Sequence, residues 1–479
     1  MRRIYKKARN VIVWLGDETY WTLHAMKLLH EIGASNKRAP GEKSPHYPDL
    51  SPVEVMHNRL ALCDFFNQPW WERAWIRQEV AMGKRGRVIF LWGDTQCTLE
   101  DAKRTVMALE HVESLKPNID TSAIWWPDRA ELFCHSHPMS INMLCDASHY
   151  GENFIPLAEL LRHSRQTKAT DLRDKVFSVL GLDNPEIHGI SADYSKPVRY
   201  ILFETTSKLL RRKADLALHL LEACQNPERL HHLPSWVPNL IDDWKYFPFP
   251  DQVWEPHGLR SGWDPRQTVS IRGTVLTIKG YHVDTVGTIA SQSIGRCATA
   301  AEIDMICKEW KRFIETKAKE FKGHKWFWKS DNARVEQLKH LEVWLPRQLG
   351  PPYISDAFEQ LRISSLNEQI NVKLARTYLH GKGWEPDKMV KLRTMMQNYG
   401  VNRRLGFTAK RKVPGLFPSD VEEGDDIVRF YGLKYSYVLR KAIGKEGYYL
   451  VGDACCNETY GDWKEMIGGE RIEEEFMLR

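Results

Sequence analysis

No stretch of this 479-residue chain approaches the roughly 18 consecutive apolar residues that a membrane-crossing helix needs. No C-x-x-C pair occurs among its nine cysteines, at 63, 97, 134, 145, 224, 297, 307, 455 and 456. So odd, low and scattered a count excludes a disulfide framework and fits free thiols in a reducing compartment. A strong charge of either sign is missing too: 68 basic against 62 acidic residues leave a net charge of +6. Runs such as "LLRRKAD" and "TAKRKVP" are short and read as solvated surface, which removes the usual support for a nucleic-acid role. No G-x-S-x-G, P-loop, H-E-x-x-H or G-x-G-x-x-G pattern occurs, so hydrolase, NTPase, zincin and Rossmann readings have no motif to stand on. The one cluster resembling metal ligands, "CHSH" at 134–137 with Cys145 beyond, lacks a second spaced pair, and no metal site is expected there. The amino-terminal "MRRIYKKARNVIVWLGDE" sets basic residues before an apolar run. That run, Val11 to Leu15, is shorter than the roughly 7–15 residues of a secretory signal, and Asp17 and Glu18 follow it directly. A soluble, cytoplasmic protein is expected.

What is present is apolar and aromatic: 42% hydrophobic and 11% aromatic residues, with 18 tryptophans, exclude a mainly disordered chain. The length exceeds one compact core and predicts two or three domains. "NVIVWLGDE" and "GRVIFLWGD" read as two buried strands, each closed by Gly-Asp. Helices are expected before the first strand (Arg2 to Ala8), between the strands (Trp21 to Ile32, Val53 to Phe66), and at 170–183 in "TDLRDKVFSVLGLD". In that last helix Thr170 or Asp171 can cap the start and Gly181 can supply a left-handed stop. Leu172, Val176, Val179 and Leu180 make its apolar face, with Arg173 at the edge and Asp174 on the far side. "LPSWVPNL" at 233–240 predicts an extended, ordered loop. Strand pattern with glycine turns returns in 268–290 and again from 402, around charged helical sequence at 299–400. The expected division is an α/β domain over 1–215, a mixed linker, hairpin and helical region over 216–400, and a small β-rich module over 401–479.

Residues 69–80, "PWWERAWIRQEV", put three tryptophans among four charged side chains and one glutamine. The stretch has no internal Gly or Pro, so one helix from near Trp70 to Met82 is expected. Helical spacing gathers Trp71, Ala74, Trp75, Gln78 and Met82 into one stripe, with Arg73 and Arg77 opposite and Glu72 and Glu79 flanking. A buried Gln78 without partners costs roughly 1–3 kcal/mol, so it requires specific ones. Two readings stay open: a core helix with one satisfied amide, or a polar site containing Gln78 and Glu79.

Four stretches together resemble the fungal heterokaryon incompatibility (HET) domain family: "MRRIYKKARNVIVWLGDE", "PWWERAWIRQEVAMGKRGRVIFLWGD", "TKATDLRDKVFSVLGL" and "DYSKPVRYILFETTSKLL". "LPSWVPNL" and the β-rich tail are similar to what often accompanies that domain. The resemblance implies an α/β fold of TIR-like or flavodoxin-like type with helical insertions. It also implies an intracellular role in non-self recognition and regulated cell death. Family positions retained here are Gly16, Trp75, Gln78, Glu79, Arg173, Asp174 and Gly181. HET domains usually open with an earlier strand-and-helix block; here the chain starts in that helix's closing turns. Loss of the block implies strands with unpaired backbone groups and an exposed apolar face. Partners would be proteins of an incompatibility or signalling system, or a second copy of the chain, with no cofactor. The alternatives are an inactive remnant or, by analogy with TIR domains, an NAD-hydrolysing enzyme. In that enzyme Glu79, Gln78 and Arg173 would line a cleft. Otherwise Gly16 and Gly181 serve backbone geometry, Trp75 anchors a core, and Arg173 pairs with Glu79 to lock the 170–183 helix against the tryptophan helix.

Overall fold

The computed structural model describes residues 2–34, 52–81, 87–102, 105, 157–165, 167–182, 189–212, 214–225, 232–242, 245–246, 269–295, 300–321, 400–433, 435–456 and 472–479. Content is mixed α and β, arranged in two compact units. The first draws its described residues from 2–157 and 167–182, the second from 158–165 and from 189 onward. Position 215 thus falls within the second unit.

In the first unit α1 (Arg2–Lys7) leads into β1 (Val11–Trp14), followed by α2 (Thr22–Ala34) and α3 (Pro52–Phe66). A 3-10 turn, Pro69–Glu72, precedes α4 (Ile76–Ala81), then β2 (Val88–Trp92) and β3 (Thr95–Thr98). Strand β1 runs parallel to β2, with Val11 opposite Val88, and β2 pairs antiparallel with β3. The β2–β3 hairpin was not anticipated. Its signal is the Gly93-Asp94 pair between Trp92 and Thr95, where Gly93 takes φ +56° as a two-residue hairpin turn requires. One sheet face is packed: Val11, Val13, Val88, Phe90, Trp92 and Cys97 are buried in one core with residues of α2, α3 and the tryptophan segment. The other face is open on β1, where Ile12 is 63% and Trp14 55% exposed.

The core of this unit is aromatic. Trp70 and Trp71 meet edge to face at 4.8 Å, Phe65 and Phe66 at 4.9 Å, and Trp71 lies 5.1 Å from Phe90. Such pairs add about 0.5–1.5 kcal/mol each beyond the area they bury. The Trp71 indole N–H donates to the Phe65 carbonyl at 2.8 Å, so its one polar atom is satisfied inside the core.

The second unit contains α6 (Val198–Arg212), α7 (Ala300–Glu320) and strands β4 (Val269–Arg272) to β11 (Glu474–Leu478), while α5 (Asp174–Leu180) belongs to the first. Between β4 and β11 lie β5 (Val275–Ser293), β6 (Arg403–Thr408), β7 (Pro414–Pro418), β8 (Asp426–Phe430), β9 (Ser436–Lys441) and β10 (Tyr448–Cys456). Strands from either side of residue 400 therefore share one sheet. Pairings run β5–β6–β7–β10–β9–β8 and return to β5, so the sheet closes on itself and those strands lose their free edges. Gly280 and Gly287, expected at turns, sit inside the single long β5. A Cβ on Gly287 would lie 2.8 Å from the Phe407 carbonyl oxygen, so close backbone approach, not a turn, requires glycine there. The "LPSWVPNL" loop is ordered, as its prolines suggest, and buried. The Ser235 N–H and hydroxyl both donate to the Arg479 carbonyl, and the Trp236 indole donates to the Thr274 carbonyl at 2.9 Å.

Candidate functional site

The tryptophan stretch is not one helix. Its 3-10 turn ends at Arg73, which is extended (φ −75°, ψ 138°), and α4 begins only at Ile76. The cause lies ninety-five residues along the chain: Arg73 and Lys168 form an isolated parallel bridge. The Lys168 N–H donates to the Glu72 carbonyl, and the Ala74 N–H donates to the Lys168 carbonyl at 3.0 Å. Those backbone bonds replace the ones a continuous helix would make, and Lys168 adds a 2.6 Å ion pair to Glu72. The break resets the helical phase. Every residue of α4 is buried, including Arg77, which the continuous helix would have placed toward solvent beside Arg73.

Helix α5 packs against α4 and shows the same shift of phase. It starts at Asp174, so Leu172 is exposed instead of joining the apolar face. Asp171 does organise the entry: its carboxylate accepts the Arg173 N–H at 3.0 Å and the Arg173 guanidinium at 2.7–3.2 Å. That guanidinium hydrogen bond holds the Asp171 carboxyl below its ordinary pKa. Asp174, expected on the far side, instead faces the tryptophan segment and accepts the Trp75 indole N–H at 3.0 Å.

Gln78 is 3% exposed, and its amide Nε2 donates to the Ser178 carbonyl at 2.7 Å. Gly181 explains why that amide fits. It is not a left-handed stop, for its φ is −74°. A Cβ on Gly181 would stand 2.7 Å from Gln78 Nε2 and 2.9 Å from Cδ. The glycine is required by a side chain about a hundred residues away, not by its own backbone. Gly181→Ala is expected to push the amide off the Ser178 carbonyl and cost about 1–3 kcal/mol, read from the denaturant midpoint. Gly16, by contrast, does need glycine for its backbone, at φ +126°, and its carbonyl accepts the Gly93 N–H at 3.0 Å.

Glu79 is 9% exposed, and its carboxylate acts on the Tyr5 phenol of α1. Burial first, then the nearby Glu79 carboxylate, raise the Tyr5 phenol above its ordinary pKa, while Arg73 works in the opposite direction. The expected Arg173–Glu79 pair is thus replaced by two others, Arg173 with Asp171 and Glu79 with Tyr5. Trp75, Gln78, Asp174 and Gly181 do come together; Gly16, Glu79 and Arg173 lie apart from that contact. Tyr5 was missed by sequence reasoning, although it stands in the quoted opening stretch, because nothing local marks a tyrosine on a six-residue helix as a partner for residue 79.

The "CHSH" segment and Cys145 lie outside the described residues. Among those described, no group of three or more His, Cys, Asp or Glu side chains could hold a metal ion, and no helix is long and apolar enough to cross a membrane.

A family model described as "Heterokaryon incompatibility protein (HET)" matches residues 1–79. No curated protein and no solved structure matches the chain. Arg173, Asp174 and Gly181 lie beyond the matched residues. Residues 1–79, which carry Gly16, Trp75, Gln78 and Glu79, are thus similar to the heterokaryon incompatibility family.

Proposed function

We propose that the chain is a non-self-recognition module of a heterokaryon incompatibility system, promoting regulated cell death in the cytoplasm by associating with other proteins. The observation that carries this reading is the state of its family polar residues. Gln78 is spent on the Ser178 carbonyl under Gly181, and Glu79 on the Tyr5 phenol, with both side chains buried. A general base must come within about 3 Å of the proton it takes, and a buried carboxylate beside a partly buried phenol is arranged for packing. The parallel β1–β2 pair supports a TIR-like or flavodoxin-like layer, but fold likeness does not carry chemistry. No cofactor is required on this reading.

The experiment is induced expression in fungal cells, with viability and cellular NAD followed together and nicotinamide release measured on the purified chain. Loss of viability with NAD unchanged is the expected result. NAD consumption that Glu79→Ala abolishes would replace the association module with an enzyme.

A further inference from the structure

We propose that β1 is a self-association edge, which pairs antiparallel with β1 of a second copy across a two-fold axis at Val13. This narrows the association reading above to one partner and rests on it for its biological meaning.

Parallel strands that are apolar on both faces ordinarily lie inside a sheet with both faces covered. Strand β1 has that composition, with Val11 and Val13 inward and Ile12 and Trp14 outward, yet among the described residues it stands at the edge of its sheet. Val11 and Leu15 give their N–H groups to the Arg87 and Leu91 carbonyls of the β2 side, at 2.8 and 2.9 Å. Alternation along a strand then turns the N–H and C=O groups of Ile12 and Trp14 to the free edge. Natural edges are usually blunted by a charge or a proline within the strand, and Val11 to Leu15 contains neither.

The charges lie instead at the two ends, with opposite sign. Lys7 and Arg9 precede the strand and Asp17 and Glu18 follow it, all of them exposed. That polarity selects the occupant. In an antiparallel pair, residues directly opposite point to the same face, so Ile12 must oppose Ile12, Trp14 or another outward residue. A two-fold axis at Val13 sets Ile12 opposite Trp14 of the second copy and lets each such pair exchange both backbone bonds. The same register brings Arg9 of one copy to Asp17 of the other, twice by symmetry. An isologous contact is self-complementary in this way, whereas parallel addition of a second β1 would place like charges together.

Sedimentation velocity on the full chain across a concentration series tests the inference, with circular dichroism to verify folding of each variant. A concentration-dependent dimer is expected. Ile12→Pro removes a free-edge donor without touching the β1–β2 ladder, and Trp14→Lys places a charge on the edge; each should raise the dimer Kd about thirtyfold or more. Arg9→Asp and Asp17→Arg should each raise it roughly tenfold, and the double exchange should restore it to within about threefold of the original. A monomer at every concentration, or a dimer indifferent to Ile12→Pro and Trp14→Lys, would overturn the edge. Single charge variants that the double exchange does not repair would overturn the two-fold register. An absent dimer would leave association with other proteins standing; NAD consumption in the cell experiment would sink that reading and leave the dimer.

Discussion

Trp71→Ala is expected to cost about 3–5 kcal/mol, enough to unfold most or all of the first unit at ordinary temperature. The residue is 2% exposed and touches four aromatic rings, Phe65, Phe66, Trp70 and Phe90. Removal of its indole opens a cavity that rigid rings on every side cannot collapse to fill, and it leaves the Phe65 carbonyl only the longer bond from the Gln68 N–H at 3.4 Å. Trp71→Phe keeps most of the volume and should cost about half as much. The measurement is a denaturant titration followed by near-ultraviolet circular dichroism. Because the chain has two compact units, the loss should appear in one of two transitions, with the other unmoved. Equal shifts in both transitions would contradict the assignment of Trp71 to the first unit's core alone.

Arg403→Ala should be comparably severe in the second unit, again about 3–5 kcal/mol. Arg403 and Asp453 are both fully buried at side-chain level, on strands β6 and β10 that flank β7. The guanidinium bonds both carboxylate oxygens, at 2.9 and 3.0 Å, and also the Asp453 main-chain carbonyl at 2.9 Å. It lies 4.1 Å over the Tyr246 ring, whose phenol burial holds well above its ordinary pKa. Truncation leaves Asp453 as an uncompensated charge in the closed sheet, which is where the cost arises. Replacement of both partners, Arg403→Met with Asp453→Leu, removes the stranded charge and should cost clearly less than Arg403→Ala alone. A double variant as unstable as the single one would show that shape, not charge, sets the penalty.

The parts of this architecture that sequence made legible are those fixed locally. Strands β1 and β2 announce themselves as short β-branched runs closed by glycine, and α2 and α3 fall within a few residues of their expected bounds. The tryptophan stretch misled because its helical pattern is complete in itself. Only backbone bonds to Lys168, invisible in a local window, force Arg73 to extend and turn Arg77 inward. Gly181 misled for a similar reason. A glycine closing a helix ordinarily supplies a left-handed residue, whereas here it makes room for an amide from α4. The polar contact itself was foreseen, since a glutamine in an apolar face demands a partner; which atoms would serve was not. Periodicity names the face, and the third dimension names the neighbour.

The packing of α4 on α5 through Gln78 is most directly tested by repeating Gly181→Ala in a Gln78→Ala background and comparing stabilities. If the amide is what excludes a Cβ, the cost of about 1–3 kcal/mol in the original chain should vanish. It should even become a gain of up to about 1 kcal/mol, because a residue at φ −74° accepts alanine without strain. An equal cost in both backgrounds would mean that Gly181 does not hold Gln78, and the two helices would need another explanation for their contact.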